Sequence, residues 1–302
     1  MDRNYMLCEK LFADNSPFFH IYTSPPENDL LCVTDSDYKE TNNSLAIAAT
    51  ESGVVLVAHS IMSNHIHSLL AATRERCLLF IEALRKRLMY LCHKEGKAVT
   101  NINFHIIAIE SLKHLRDEIA YVVRNPYAAR LDVNPFSYPW CSGFLYYNDF
   151  LTVLPMGIQV ASLPVRARRA IKHGRDIDFH PSLKIMDGTI LPASFVDYKL
   201  AMSVFENARQ FVWWVTRNVE AHTATANRLG EKKLLTDEEV YLVAVKYSLK
   251  EFGSNNPRLL QQNDKTKLVR ALKFNFGASN KQIARCTGIT LALVNEMFPD
   301  RH

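Results

Sequence analysis

The residues with the clearest chemical potential are His65 and His67, two apart in HSIMSNHIHSLLAA. HIHSLLAA reads as a strand, and alternation along a strand sets both imidazoles on one face with Ile66 on the other. Two imidazoles side by side suit one divalent metal ion. Eleven histidines in 302 residues give roughly 0.4 such pairs by chance, so the pair needs a frame. Downstream, YVVRNPYAARL sets Asn125 four residues after Tyr121, one helical turn on, so its amide oxygen can point the same way as the phenol. Pro126 stops this helical pattern and biases Asn125 away from helical geometry. Tyr127, Tyr138, Tyr146 and Tyr147 are neighbouring phenols. Tyr138, just before Pro139 and Trp140, reads as structural, and Tyr146 and Tyr147 read as core packing rather than base stacking.

The elements that must position these residues follow from pattern. NSPFFHIYTSP reads as a strand and Asp35–Thr50 as a helix weakened by Asn42, Asn43 and Ser44. GVVLVAHSIM and HIHSLLAA, separated by the turn Ser63-Asn64, predict an antiparallel hairpin. CLLFIEALRKRLMYLCHKEG is amphipathic and ends near Gly96. FHIIAIE reads as a strand, and SLKHLRDEIAYVVRN as a helix that Ser111 can cap. The order β-α-β-β-α-β-α predicts an α+β fold with a ferredoxin-like antiparallel sheet and packed helices.

Residues 141 to about 190 carry turn residues and the basic cluster Arg166, Arg168, Arg169 and Lys172. From Ser194 the pattern is helical, with FVDYKLAMSVFENARQFVWWVTRNVEA expected as one long buried helix. Thr236 and Glu239 form a capping box before EEVYLVAVKYSLKEF, and LLQQNDKTKLVRALKF follows as a further helix. In SNKQIARCTGITLALVNEMF, Ser279 caps a helix carrying Ile283 and Ala284. Gly288 supplies the turn, and Ile289 and Val294 face the same core, which is helix-turn-helix spacing. The expected division is 1–150, a linker and helical extension over 151–230, and a helical region over 231–302.

Net charge is +5, which permits nucleic-acid binding without establishing it. Arg85, Lys86 and Arg87 on one helix, with Lys94 and Lys97 near its end, are candidate phosphate contacts, as are Arg124 and Arg130 beside Tyr121. A solvated helix face explains them equally well. Lys281 and Arg285 are the corresponding basic residues in the C-terminal segment, whose second helix has no Lys or Arg. The six scattered cysteines, with no CxxC pair, read as reduced thiols rather than a disulfide framework or a zinc site. No stretch is apolar enough to span a membrane and no secretory leader is visible, so a cytoplasmic, nucleoid-associated protein is expected.

Together the motifs are specific. HSIMSNHIHSLLAA resembles the Met-x-Asn-His-U-His hallmark of HUH single-tyrosine transposases, where U is apolar. YVVRNPYAARL followed by FSYPWCSG resembles the Tyr-x-x-x-Asn-Pro and Tyr-Pro-Trp hallmarks of the REP-associated tyrosine transposase branch. The resemblance covers roughly residues 15–150. It implies that His65 and His67 are metal ligands, Asn125 the third ligand and Tyr121 the nucleophile. It further implies cleavage and rejoining of single-stranded or hairpin DNA through a 5′-phosphotyrosine. A neutral nitrogen-and-oxygen donor set suits Mn²⁺ better than Mg²⁺, although Mg²⁺ is the abundant ion in cells. The assembly is a monomer or a homodimer. Two competing readings stand beside this one. A domesticated, catalytically silent regulator would bind DNA through the helix-turn-helix and form no covalent adduct. A metal hydrolase would use water at the His-x-His pair and need further Asp, Glu or His ligands.

Overall fold

The computed structural model of the chain describes residues 18–24, 30–129, 134–152, 157–174, 178–230, 235 and 237–299. Strand β1 (Phe18–Thr23) precedes helix α1 (Asp35–Ser52), the pair β2 (Val55–Ile61) and β3 (Ile66–Ala71), helix α2 (Arg74–Lys94), β4 (Phe104–Ala108) and α3 (Leu112–Ala129). The four strands form one sheet in the order β2-β3-β1-β4, every neighbouring pair antiparallel. The β-α-β-β-α-β-α order and this strand order are those of the ferredoxin-like arrangement.

Local chemistry accounts for each element. The β2–β3 hairpin closes through Met62 N–H donating to the His65 carbonyl at 2.8 Å, leaving Ser63 and Asn64 as the loop; the Ser63 carbonyl accepts from Cys32 N–H at 2.9 Å. Helix α1 begins with a reciprocal capping box between Thr34 and Asp37 and ends at Gly53, where φ is 65°. A side chain at Gly53 would also collide with the guanidinium of Arg76. Helices α1 and α2 pack on one another, and Leu45, Leu56, Leu69, Leu70, Phe80 and Leu84 are fully buried in the core they share with the sheet.

The polar run that weakens α1 in the sequence has a structural purpose. Asn42 and Asn43 are buried and clamp a second, three-stranded antiparallel sheet: β5 (Ile158–Gln159), β6 (Lys184–Met186) and β7 (Thr189–Ile190). Asn43 donates to the Gly188 carbonyl at 2.9 Å and accepts from Ile190 N–H at 2.7 Å; Asn42 donates to the Ile190 carbonyl at 2.8 Å. Beside them, Ala46 and Ile47 pack with Val160, Leu183, Ile185 and Ile190. The basic cluster lies on the short helix α4 (Val165–Lys172), none of whose residues is buried.

The expected single long helix after residue 194 is instead three: α5 (Tyr198–Ser203), α6 (Ala208–Arg217) and α7 (Val219–Leu229). Two asparagines restart the chain. Asn207 accepts from Gln210 N–H at 2.9 Å while Gln210 accepts from Glu206 N–H at 2.8 Å, and Asn218 accepts from Ala221 N–H at 3.3 Å. Asparagine satisfies exposed helix N–H groups so well that it starts a helix more readily than it continues one. Between α5 and α6, Val204 and Phe205 are buried in the sheet core.

The chain divides into two compact units, one comprising residues up to 127 and 132–215, the other 128–131 and 216–302. In the second, α8 (Asp237–Phe252), α9 (Gln262–Phe274), α10 (Asn280–Thr287) and α11 (Leu291–Met297) enclose a core that includes Val240, Leu268, Leu272, Ile283 and Val294. Ser279 and Gln282 form a capping box at the start of α10, and Gly288 ends it at φ 72°. Thr236, expected to cap α8, lies outside the described residues. No helix among the described residues is long and apolar enough to cross a membrane.

Candidate active site

The sheet places His20 and Tyr22 on β1 and His67 on β3 on one face, because Tyr22 pairs directly with His67 in the antiparallel register and His20 lies two residues before Tyr22. His65 sits just before β3, two residues from His67, and the rings meet edge to face at 4.9 Å between centroids. Across from them, α3 presents His114, Glu118, Tyr121 and Asn125. These residues are four, three and four apart, so they form one stripe of the helix.

Pro126 does not end α3, contrary to the sequence expectation; the helix runs on to Ala129. Proline removes the N–H that would bond the Val122 carbonyl four residues earlier. The Cys141 thiol lies 4.0 Å from that carbonyl and 3.9 Å from that of Val123, a weak partner where the helix lacks its own. Asn125 therefore stays helical, one turn after Tyr121 and on the same side.

The four residues singled out by the sequence converge. His65 Nε2 lies 3.1 Å from Asn125 Oδ1, and His67 Nε2 lies 3.1 Å from Asn125 Nδ2. The Tyr121 ring meets His67 edge to face, with centroids 5.8 Å apart and planes at 85°. Tyr121 and Asn125 are both buried at 9% exposure, and His67 is at 0%. Burial, followed by the neighbouring His65 and His20, pushes the His67 imidazole well below its ordinary pKa, which favours its neutral form.

The remote nitrogens are occupied as well. His65 Nδ1 faces Asn64 Oδ1 at 2.6 Å, and His67 Nδ1 faces His20 Nε2 at 3.0 Å. His20 Nδ1 in turn meets Glu118 Oε2 at 2.7 Å, and the other Glu118 oxygen meets His114 Nε2 at 3.1 Å. Imidazoles that hold a metal through one nitrogen commonly donate the other N–H to an outer acceptor. The pattern here leaves both Nε2 atoms directed at the Asn125 amide. Among the described residues no group of three or more His, Cys, Asp or Glu side chains could hold a metal ion, so a cation at this point would take two imidazole nitrogens and the Asn125 amide oxygen. That set fits a divalent ion of intermediate hardness.

His20, Glu118 and His114 belong to the same cluster but lie outside the matched motifs, whereas Asn64 is the Asn of the Met-x-Asn-His-U-His match. The α3 stripe was legible in spacing, since His114, Glu118, Tyr121 and Asn125 repeat at helical period. His20 carries no such signal, being one polar residue in an apolar strand. Tyr22 stacks on both His67, at 6.1 Å, and His105, at 4.8 Å.

The predicted basic contacts are not gathered at this point. Arg124 is buried, at 2% exposure, with its guanidinium 5.4 Å from the Tyr127 ring centroid and donating to the Val215 carbonyl at 3.5 Å. In this conformation its guanidinium is packed within the protein. Arg85 donates to the Ile102 carbonyl at 3.2 Å and lies over Phe104, and Arg87 pairs with Glu51 at 3.8 Å. Lys86 is exposed. Lys281 and Arg285 are exposed on α10 in the second unit, Arg285 paired with Asp237. Arg130 lies outside the described residues. Tyr146 is buried with its hydroxyl on Ser142 Oγ at 2.8 Å and the Val57 carbonyl at 2.9 Å. Tyr147 and Tyr138 donate to the carbonyls of Met202 and Ile61. The five described cysteines are buried, and no disulfide joins them.

No protein-family model matches the chain, and no curated protein does. Among solved structures it is similar to a REP-associated tyrosine transposase bound to a REP hairpin, at 15% identity and a TM-score of 0.31, over 56% of this chain and 92% of that one.

Proposed function

We propose that this chain is a metal-dependent single-tyrosine strand transferase acting on single-stranded DNA, including DNA folded into a hairpin. The observation that carries the reading is the meeting of His65 Nε2, His67 Nε2 and the Asn125 amide beside the Tyr121 ring. Motifs far apart in the sequence converge on one point, as the resemblance to HUH single-tyrosine transposases requires.

His65, His67 and Asn125 would hold the divalent cation, Mn²⁺ or Mg²⁺. Held there, a divalent cation would supply positive charge that offsets the charge of the scissile phosphate and would favour ionisation of the phenol. Tyr121 is the nucleophile. Its Oη bonds to phosphorus, the bond from phosphorus to the 3′-oxygen breaks, and the phenol proton passes through solvent to that leaving oxygen. The products are a 5′-phosphotyrosine and a free 3′-hydroxyl. A second 3′-hydroxyl reverses the step and rejoins a strand without ATP. The burial of His67 favours its neutral imidazole. Lys86 on α2 and Lys281 and Arg285 on α10 are the proposed phosphate contacts, with α10 and α11 acting as a helix-turn-helix.

The test is a denaturing gel of the purified chain with labelled single-stranded DNA carrying candidate hairpins, with Mn²⁺ or Mg²⁺, EDTA and Tyr121→Phe as controls. The expected result is a metal-dependent covalent protein–DNA band that Tyr121→Phe abolishes. Cleavage that persists in Tyr121→Phe overturns the tyrosine mechanism in favour of water. Binding without an adduct on every DNA tried overturns catalysis in favour of a DNA-binding regulator.

A further inference from the structure

The buried carboxylate of Glu118 has no part in the reaction as derived above. Glu118, His20 and His67 are each at 0% exposure, which is a costly place for a charge that does nothing. They form a continuous chain: carboxylate oxygen to His20 Nδ1 at 2.7 Å, His20 Nε2 to His67 Nδ1 at 3.0 Å, and His67 Nε2 to the Asn125 amide at 3.1 Å.

Hydrogen-bond chemistry dictates where the protons sit. An ionised carboxylate only accepts, so His20 carries a proton on Nδ1. A neutral His20 then has a lone pair on Nε2, which takes the proton of His67 Nδ1. That leaves the lone pair of His67 on Nε2, directed toward Asn125. The opposite arrangement, with His20 as imidazolium, puts a proton on His67 Nε2 and removes it as a ligand. Ligation through His67 Nε2 therefore requires the first arrangement, and the tautomer of His67 is its direct readout. His114 holds the second Glu118 oxygen at 3.1 Å and fixes the carboxylate plane. The two ligand histidines thus differ: His65 is backed by the neutral amide of Asn64, His67 by a carboxylate acting through a second imidazole.

We propose that Glu118 and His20 are positioning residues that lock His67 as the Nδ1–H tautomer and lend its Nε2 negative character, raising the affinity of an otherwise neutral donor set for a divalent cation. This rests on the reading that His65, His67 and Asn125 hold that cation. A carboxylate outside the ligand sphere compensates charge without altering the ligand count.

The experiment uses the full chain labelled with ¹⁵N-histidine. Ring-nitrogen spectra of the metal-free protein report the His67 tautomer, and Mn²⁺ titration followed by electron paramagnetic resonance reports affinity. The wild type is expected to show His67 protonated on Nδ1. Glu118→Gln keeps the size and an acceptor oxygen but removes the charge; it is expected to mix the tautomers and weaken Mn²⁺ binding about 10–100-fold. His65→Ala is expected to abolish binding. An Nε2–H tautomer in the wild type, or unchanged Mn²⁺ affinity in Glu118→Gln, overturns the relay while leaving the cation site standing. A wild type that binds no Mn²⁺ overturns the site and the relay together. If Glu118→Gln does not fold, the wild-type tautomer and the Mn²⁺ affinity of His20→Phe decide the matter by the same criteria.

Discussion

Replacing His59 with leucine should stabilise the protein, and more so in acid. His59 lies on β2, is fully buried, and has no hydrogen-bond partner at either ring nitrogen among the described residues. Its nearest ring neighbour is Phe195, with centroids 5.7 Å apart. A buried polar atom without a partner costs about 1–3 kcal/mol, and a volume-matched apolar exchange costs under about 1.5 kcal/mol in packing. With two such atoms relieved against that packing cost, the expected gain at neutral pH is at least about 0.5 kcal/mol. The acid contribution is separate. Burial holds the folded His59 at about 3, against about 6.5 in the unfolded chain. A depressed folded value means that the unfolded chain takes up the proton first. The stability tied to this group is therefore present above pH 6.5 and is lost as pH falls toward 3. Between pH 7.5 and 5.0 that loss is about 2 kcal/mol for one histidine. His59→Leu removes it, so the gap between variant and wild type should widen by that amount over the same interval. Urea unfolding of both proteins at pH 7.5 and pH 5.0 measures each term. His67 is depressed in the same direction, but it titrates in both proteins and cancels in the difference. A variant no more stable than wild type at pH 7.5, with a gap that does not change with pH, would show that His59 is satisfied in solution and refute the reasoning.

Other sites give sharper or more functional readouts. Asn43→Ala strips the buried clamp from Gly188 and Ile190 and should cost about 2–3 kcal/mol in urea unfolding. Asn125→Asp puts a carboxylate where the proposed third donor stands and should tighten Mn²⁺ binding by tenfold or more in a calorimetric titration, since hard cations favour anionic oxygen. Lys86→Gln removes an exposed cation from α2 and should lower the slope of log affinity against log salt for single-stranded DNA by about 0.7. Arg124→Gln, altering a buried guanidinium, should instead appear as a lower unfolding midpoint.

The parts of this molecule that were legible in the sequence are those where one short-range rule acts alone. Alternation around His65 and His67 gave the hairpin, and a period of two put both rings on one face; the structure has them meeting at one amide. Capping chemistry located Ser279 and Gly288 for the same reason. The failures lie where a distant partner decides. Asn42 and Asn43 look like helix breakers until the second sheet supplies the backbone groups they bind. Pro126 looks like a stop until Cys141 is brought up beside the carbonyl it leaves unbonded. The apolar run after residue 194 looks continuous because its breaks rest on single asparagines at 207 and 218. The site shows the same division. Tyr121 and Asn125 come from the motif resemblance, with helical spacing setting them on one side, whereas His20 becomes intelligible only once β1 is laid against β3 and α3 is placed over both. Its role depends on a carboxylate 98 residues away, and no window along the chain contains both. The proposed function is therefore read in two layers: the candidate reacting residues from motif and period, and their proposed positioning residues from the fold alone.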